Sequence, residues 1–177
     1  MARGRPKLSL IEAALLLSIL GAALAVFVPT FLRRVRTNKI AEASELLEEM
    51  SRRTAAYYAT SWDEGRAHCL PPAAGPTPAT PSVDPVEVDF SSEDAVGHES
   101  WIALGFQPEW PIRYRYQYAP DRDGCDLDMF EPAVSIIFRA EGDLDGDGVL
   151  STFERSATLE GDRFESADVL HVDQRTE

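Results

Sequence analysis

The chain has 177 residues, of which 44% are hydrophobic, and a net charge of −13 at pH 7. The charge is unevenly distributed, since residues 1–39 hold seven Lys or Arg against one acid, whereas residues 40–177 hold ten against twenty-nine. This acidic body argues against nucleic acid as a partner, because it offers no basic surface to neutralise phosphates.

The first predicted element is an apolar segment near the N-terminus. From Ala13 to Leu32, twenty residues carry no formal charge, and at about 1.5 Å of rise each they span roughly the 30 Å core of a bilayer. A secretory signal peptide would have a shorter apolar region, about 7–15 residues, followed by a small-residue cleavage site. A retained single span fits better, because the segment continues into the basic residues Arg33, Arg34, Arg36 and Lys39.

An amphipathic helix is predicted to continue beyond this span. Apolar residues recur there at three- and four-residue spacing, which places them on one face: Ile40, Ala43, Leu46, Leu47, Met50, Tyr57 and Tyr58. Neither Pro nor Gly interrupts the sequence from Arg33 to Trp62. We therefore expect one helix from about Leu8 to Thr60, kinked at Pro29, whose backbone lacks an N–H.

The residues after this helix predict a small antiparallel sheet. Six prolines in residues 70–85 indicate an extended surface loop, with a disordered linker as the alternative. Alternation from Ile112 to Tyr118, the apolar run in residues 133–142 and one or two segments within 154–173 predict three or four strands. The fold class is therefore α+β, with the amphipathic helix covering the sheet, and Trp62, Trp101 and Trp110 are expected to pack between them.

The stretch GDLDGDGVLSTFE matches the calcium-loop pattern D-x-D-x-D-G-x₅-E over residues 143–154. In this pattern a glycine at the sixth position allows a sharp turn, and a glutamate at the twelfth binds through both oxygens. The predicted Ca²⁺ ligands are Asp143, Asp145, Asp147, the carbonyl of Val149, Ser151 and Glu154. A strand precedes the loop, so we expect a structural calcium site rather than a sensor; an acidic solvated turn is the alternative.

Cys69 and Cys125 are the only cysteines. They are expected to form a disulfide if the domain is exported, and to stay as free thiols if it is cytosolic. No catalytic constellation is present: the sequence contains no G-x-S-x-G motif, no glycine-rich phosphate loop, and no cysteine with a histidine base that would not equally suit a disulfide. We therefore predict no enzymatic activity and no catalytic residues.

The segment LSLIEAALLLSILGAALAVFVPTF resembles the N-terminal signature of type IV pilins and of the pseudopilins of type II secretion. In that family a short basic leader is removed before a residue that T/S-L-I-E follows. An apolar helix with glycine and proline at set places comes next. Leu8 and Glu12 fit the start of this signature, Gly21 its glycine and Pro29 its proline, all in register. The resemblance covers about the first quarter of the chain.

The resemblance implies a structural subunit of a type IV pilus or type II secretion pseudopilus, minor or divergent, whose partners are other pilin-like subunits. Because a carboxylate at the edge of hydrocarbon costs several kcal/mol unless it is paired, Glu12 would face the free amine of Leu8 on another copy. Glu12 reaching into the lipid headgroups is the alternative. The implied location is the bacterial inner membrane, with a single span and the head in the periplasm or in an extracellular filament.

One position departs from the family pattern. The leader normally ends in glycine before the site that the prepilin peptidase cuts, and this chain has Lys7 there. Either the peptidase accepts Lys7, or Leu8 never becomes a free amine and the chain is a non-assembling, single-pass, membrane-anchored calcium-binding module. The predicted organisation is a leader (1–7), a transmembrane and assembly helix (8–32), its amphipathic continuation (33–62) and a globular head (63–177).

Overall fold

The computed structural model describes residues 10–60, 68–125, 127, 133–161 and 163–173. The chain divides into two compact units, Met1–Ile40 and Ala41–Glu177. The elements, in chain order, are α1 (Leu10–Ala59), β1 (Ala74–Thr77), α2 (His98–Leu104), β2 (Arg115–Pro120), β3 (Val134–Gly142), β4 (Ser151–Glu160), β5 (Arg163–Ser166) and β6 (His171–Asp173).

The first unit contains the start of α1. Its segment Leu10–Val28 is long and apolar enough to cross a membrane, by length and composition, and none of it is buried within the structure. Large apolar side chains along it are exposed, including Leu10 at 91% and Phe27 at 72%. The backbone is helical through position 29, so the proline at which a kink was predicted lies within α1.

The second unit is built on an antiparallel sheet. Strands β1 to β5 follow one another in the sheet in sequence order, and β6 also pairs with β4. The longest pairing joins β3 and β4 from Val134↔Leu159 to Gly142↔Ser151. The α+β class is confirmed, although the sheet has six strands among the described residues rather than the predicted three or four.

One of the additional strands, β1, lies inside the proline-rich stretch. Residues 70–85 were expected to form a surface loop or a linker, yet Ala74 and Thr77 pair with Tyr118 and Tyr116 of β2. The strand occupies the edge of the sheet, where a proline without an N–H is tolerated. Gly75 takes a φ of +89°, and a side chain there would meet the backbone of β2.

The core lies between the sheet and the second part of α1. The predicted alternation is confirmed, since Tyr114, Tyr116 and Tyr118 are all fully buried, as are Phe138 and Phe153 on β3 and β4. The predicted helix face is confirmed as well. Its buried members are Ala43, Leu46, Leu47, Met50 and Tyr58.

Three polar contacts tie residues 42–58 of α1 to distant parts of the head. The Glu42 carboxylate accepts hydrogen bonds from the backbone of Arg113 and Tyr114, at 2.7 and 3.3 Å. Near the other end, the Tyr58 hydroxyl donates to the carbonyl of Gly161 at 2.8 Å. Between them, the side-chain oxygens of Ser51 and Ser166 lie 2.9 Å apart.

Helix α2 is a short element that the sequence did not predict. It lies between Gly97 and Gly105, both of which have left-handed backbone angles. Its Trp101 is 1% exposed and donates from Nε1 to the Val96 carbonyl at 3.1 Å and the Thr77 hydroxyl at 3.2 Å. Trp101 was expected to pack between helix and sheet, and its burial agrees with this expectation, whereas Trp62 lies outside the described residues.

Candidate functional site

The predicted calcium loop connects strands β3 and β4. The structure brings three of its side chains together, since Asp143, Asp145 and Asp147 each offer a carboxylate oxygen within 4.8 Å of the others. Asp143 is half-buried, and the other two are exposed. Three carboxylates at this separation repel one another unless a cation lies among them, so the cluster could bind a metal ion.

Backbone hydrogen bonds fold the loop around Asp143. Its Oδ1 accepts the N–H of Gly146 at 2.8 Å, and its Oδ2 accepts the N–H of Gly148 at 3.1 Å. Both glycines have positive φ, +80° and +89°, a conformation that glycine adopts without steric cost. The glycine positions of the motif therefore fit the turn that the backbone makes.

The later positions of the predicted ligand set lie elsewhere in the hairpin. Ser151 begins β4, is fully buried, and donates its hydroxyl to the Gly142 carbonyl at 3.2 Å. Glu154 is not part of the aspartate cluster. It pairs in register with Arg139 of β3, whose Nε lies 2.6 Å from its Oε1. The Val149 backbone N–H donates to Asp147.

Cys69 and Cys125 form a disulfide. Beside it, Leu70 and Gly124 exchange two backbone hydrogen bonds of 2.8 and 2.9 Å, so the two cysteine segments also pair directly. The disulfide joins the stretch before β1 to the stretch after β2. Of the two readings that the sequence left open, the structure has the paired one.

The residues predicted to act in assembly all belong to the first unit. Glu12 lies in the first turn of α1 and is exposed. Gly21 is surrounded by open space, since a Cβ built on it would meet no atom within 4 Å. Lys7 and Leu8 lie outside the described residues, and the side chain of Pro29 does as well.

Sequence reasoning missed the buried carboxylate of Glu42, which is 7% exposed. It lies close to Tyr114, which precedes β2, and to Tyr116 within β2. Burial, and then the negative charge of Glu42, raise the pKa of Tyr114 and of Tyr116 well above the usual value. A signal was present in the sequence: Glu42 is four residues before Leu46 and eight before Met50, which places an acid in the apolar stripe.

The chain matches no protein-family model, no curated protein and no solved structure. Its functional interpretation therefore depends on its own residues and their geometry.

Proposed function

We propose that the chain is a structural subunit of a type IV pilus or of a type II secretion pseudopilus. Helix α1 carries this proposal. One continuous helix, Leu10–Ala59, supplies both an apolar segment of membrane-spanning length and, from Ala43 onward, the buried helix of an α+β head. Subunits that polymerise through their membrane helices need this combination, because the helix that leaves the lipid must still hold the head.

The proposed location is the bacterial inner membrane, with the head in the periplasm or in an extracellular filament. The Cys69–Cys125 disulfide supports it, since disulfides persist in oxidising compartments and are rare in the cytosol. The proposed partners are other pilin-like subunits and the prepilin peptidase, which would have to accept Lys7. A monomeric, membrane-anchored module is the competing function, and it differs in making no helix–helix contacts.

The test of the subunit function is the substitution Glu12→Ala. We expect membrane insertion to be kept and incorporation into filaments to fall by about tenfold or more, because losing one partner of a buried charge pair costs about 2–5 kcal/mol. The measurement is the amount of protein in sheared filaments, or co-purified with other pilin-like subunits, from cells that contain the assembly machinery.

Ser18→Ala is the matched control for Glu12→Ala. Ser18 lies in the same apolar segment, and its hydroxyl donates to the Ala14 carbonyl of its own helix at 2.9 Å, so this variant should assemble normally. Normal incorporation of Glu12→Ala would contradict the pairing of Glu12 with the Leu8 amine. Absence of the unmodified chain from the filaments would contradict the subunit function and favour the monomeric anchor.

We further propose that the ion held by the aspartate cluster is Ca²⁺. The donors are hard carboxylate oxygens, which suit calcium, and the sequence follows the calcium-loop spacing through its twelfth position. Asp143, Asp145 and Asp147 would hold the ion, with the Val149 carbonyl and Ser151 nearby in sequence. To bind the ion, Glu154 would have to give up its ion pair with Arg139. Calcium would neutralise the hairpin connection and brace the β3–β4 end of the sheet.

Calcium is expected to raise the thermal stability of the head. An ion that binds only the folded state stabilises it by RT ln(1 + [L]/Kd), about 2.7 kcal/mol at a hundredfold excess over Kd. The measurement is the Tm of the full chain in detergent, with calcium or with a chelator, at fixed ionic strength. Magnesium should give a smaller shift, because it requires a small octahedral shell.

Substitutions with asparagine show whether the aspartates hold the ion. Asp145→Asn combined with Asp147→Asn should remove most of the calcium-dependent shift, whereas Asp121→Asn, in an exposed turn outside the motif, should leave it intact. Glu154→Gln tests the twelfth position separately, since it should reduce the shift only if Glu154 leaves Arg139 for the ion. An unchanged Tm at millimolar calcium would show that the loop is a solvated turn.

A further inference from the structure

A groove beside Trp110 lies on the surface of the head. The Trp110 groove is formed by Glu87, Val88, Asp89 and residues 107–111, and has a volume of about 410 Å³. Trp110 is 46% exposed. The expectation that this tryptophan packs between helix and sheet is therefore wrong. A half-exposed indole in the wall of a groove is available to a partner.

The two walls of the Trp110 groove are held together by Gln107. Its Nε2 donates to the Val88 carbonyl at 2.8 Å, and its Oε1 accepts the N–H of Phe90 at 2.9 Å. Next to the groove, Val86 and Ile112 exchange two backbone hydrogen bonds of 2.8 and 2.9 Å. The groove is therefore preformed, which lowers the ordering cost of binding.

The Trp110 groove is strongly acidic. Glu87, Asp89 and Glu109 are exposed, and within the described ranges none of them forms an ion pair. Hydrogen bonds from the hydroxyl and backbone N–H of Ser91 lower the pKa of Asp89, so it stays ionised at neutral pH. Three uncompensated negative charges therefore lie around one indole.

A second groove that Trp110 also lines has a different charge balance. Its other residues include Glu45, Glu49, Arg52 and Arg53. Its two arginines offset two of its three acids, which are Glu45, Glu49 and Glu109, and Glu49 forms ion pairs with both arginines. Negative potential therefore gathers on the Glu87 side, and this is the side that would attract a cation.

Arginine is the cation that suits the Trp110 groove best. Its planar guanidinium stacks on an indole and donates to carboxylates at the same time. Phosphate and anionic lipid headgroups would be repelled. The chain itself has a matching segment, the basic collar, residues 33–39, with sequence RRVRTNK, which contains three arginines, one lysine and no acid.

We propose that the Trp110 groove of one copy of this chain binds the basic collar of a second copy. The inference rests on the proposed subunit function. Groove and collar are different surfaces of one chain, so their contact is head-to-tail. When two copies bind in this way, the pair still has one unoccupied groove and one unoccupied collar. Contacts of this type continue into open filaments unless the rotation closes a ring.

Photo-cross-linking in cells tests this contact directly. A benzophenone-bearing phenylalanine is placed at Val88 of the full chain, and two differently tagged versions are expressed together with the assembly machinery. We expect a cross-link between the two tags, and mass spectrometry should map it to the peptide containing Arg33 and Arg34. A cross-link to the collar of the same copy, or to a different protein, would overturn the proposal.

Charge-reversal variants test the same contact independently. Glu87→Lys with Glu109→Lys should reduce the cross-link between copies by about tenfold or more, since like charges across an interface cost several kcal/mol. Glu93→Lys with Glu160→Lys changes the net charge equally at exposed acids outside the groove, and should have little effect. Adding Arg33→Glu and Arg34→Glu to the groove variant should restore most of the cross-link; no restoration would contradict the pairing.

The outcomes also separate this contact from the subunit function. If the chain enters filaments in a Glu12-dependent manner but gives no collar cross-link, the groove has another role and the subunit function stands. If the chain stays monomeric when the assembly machinery is present, both proposals are wrong.

Discussion

The head is expected to lose stability steeply as the pH rises above about 10, because three tyrosines are buried as neutral phenols. Tyr114, Tyr116 and Tyr118 are fully buried, and their hydroxyls have no hydrogen-bond partner among the described residues. Burial is the main cause that raises the pKa of each, with Glu42 adding to the first two and Asp123 to Tyr118. Ionisation therefore strongly favours the unfolded chain.

The sign follows from the protons that each state binds. Above about pH 10 the unfolded chain releases its phenolic protons while the folded head keeps them, so the free energy of unfolding falls as pH rises. Each tyrosine contributes about 1.4 kcal/mol per pH unit, hence roughly 4 kcal/mol per unit for the three together. Below the ordinary tyrosine pKa this stabilising contribution is fully present.

The measurement is an alkaline titration of the full chain in detergent. Tyrosinate absorbance and near-ultraviolet circular dichroism are followed together, and both should change in one cooperative step. Tyr118→Phe removes one titrating group and should make the decline less steep, by about a third. If tyrosinate appears gradually, with the circular dichroism unchanged, the phenols are accessible in the folded state and the prediction is wrong.

Glu42→Ala is expected to lower the free energy of unfolding by about 3–5 kcal/mol, the cost of removing one partner from a buried ion pair. The Glu42 carboxylate is the acceptor for the backbone N–H groups of Arg113 and Tyr114. It also lies 3.3 Å from the Arg113 guanidinium. Alanine would leave these donors without an acceptor, and the hydrogen bonds between α1 and the residues just before β2 would be lost.

The matched variants are Glu42→Gln and Glu45→Ala. Glutamine keeps an acceptor oxygen and loses the charge, so it should cost less, about 1–3 kcal/mol. Glu45 is an exposed acid on the same helix, and its removal should change stability by less than about 0.5 kcal/mol. Denaturant unfolding in detergent measures all three. If the free energy of unfolding of Glu42→Ala is within about 1 kcal/mol of that of the unmodified protein, the Glu42 contacts with Arg113 and Tyr114 do not hold helix and sheet together.

The features that sequence reasoning predicted correctly depend on local periodicity. The apolar stripe that includes Leu46 and Met50 and the alternating tyrosines both have a repeat that short windows detect. In each case the pattern determines which face is buried, and the structure agrees.

The features that it missed depend on contacts between distant positions. Glu42 meets Arg113, 71 residues further along the chain, and no local pattern predicts such a pair. Trp110 was expected to pack because tryptophans usually do, but its neighbours Pro108 and Pro111 are part of a groove wall. Strand β1 was missed because its proline-rich sequence indicates a loop. The strand forms by pairing with β2, which lies about 40 residues later in the chain.

The order in which the chain is made has a consequence for α1. The helix is synthesised before the other described elements, yet its hydroxyl contacts at Ser51 and Tyr58 are to Ser166 and Gly161, 115 and 103 residues later. Its apolar face therefore has no complete docking surface until almost the whole polypeptide has emerged. Contacts so distant in sequence form slowly, and exposed apolar surface invites aggregation in the meantime. If the head is exported as proposed, the growing chain would cross the bilayer while its helix stays in lipid, and this would keep neighbouring nascent heads apart during this interval.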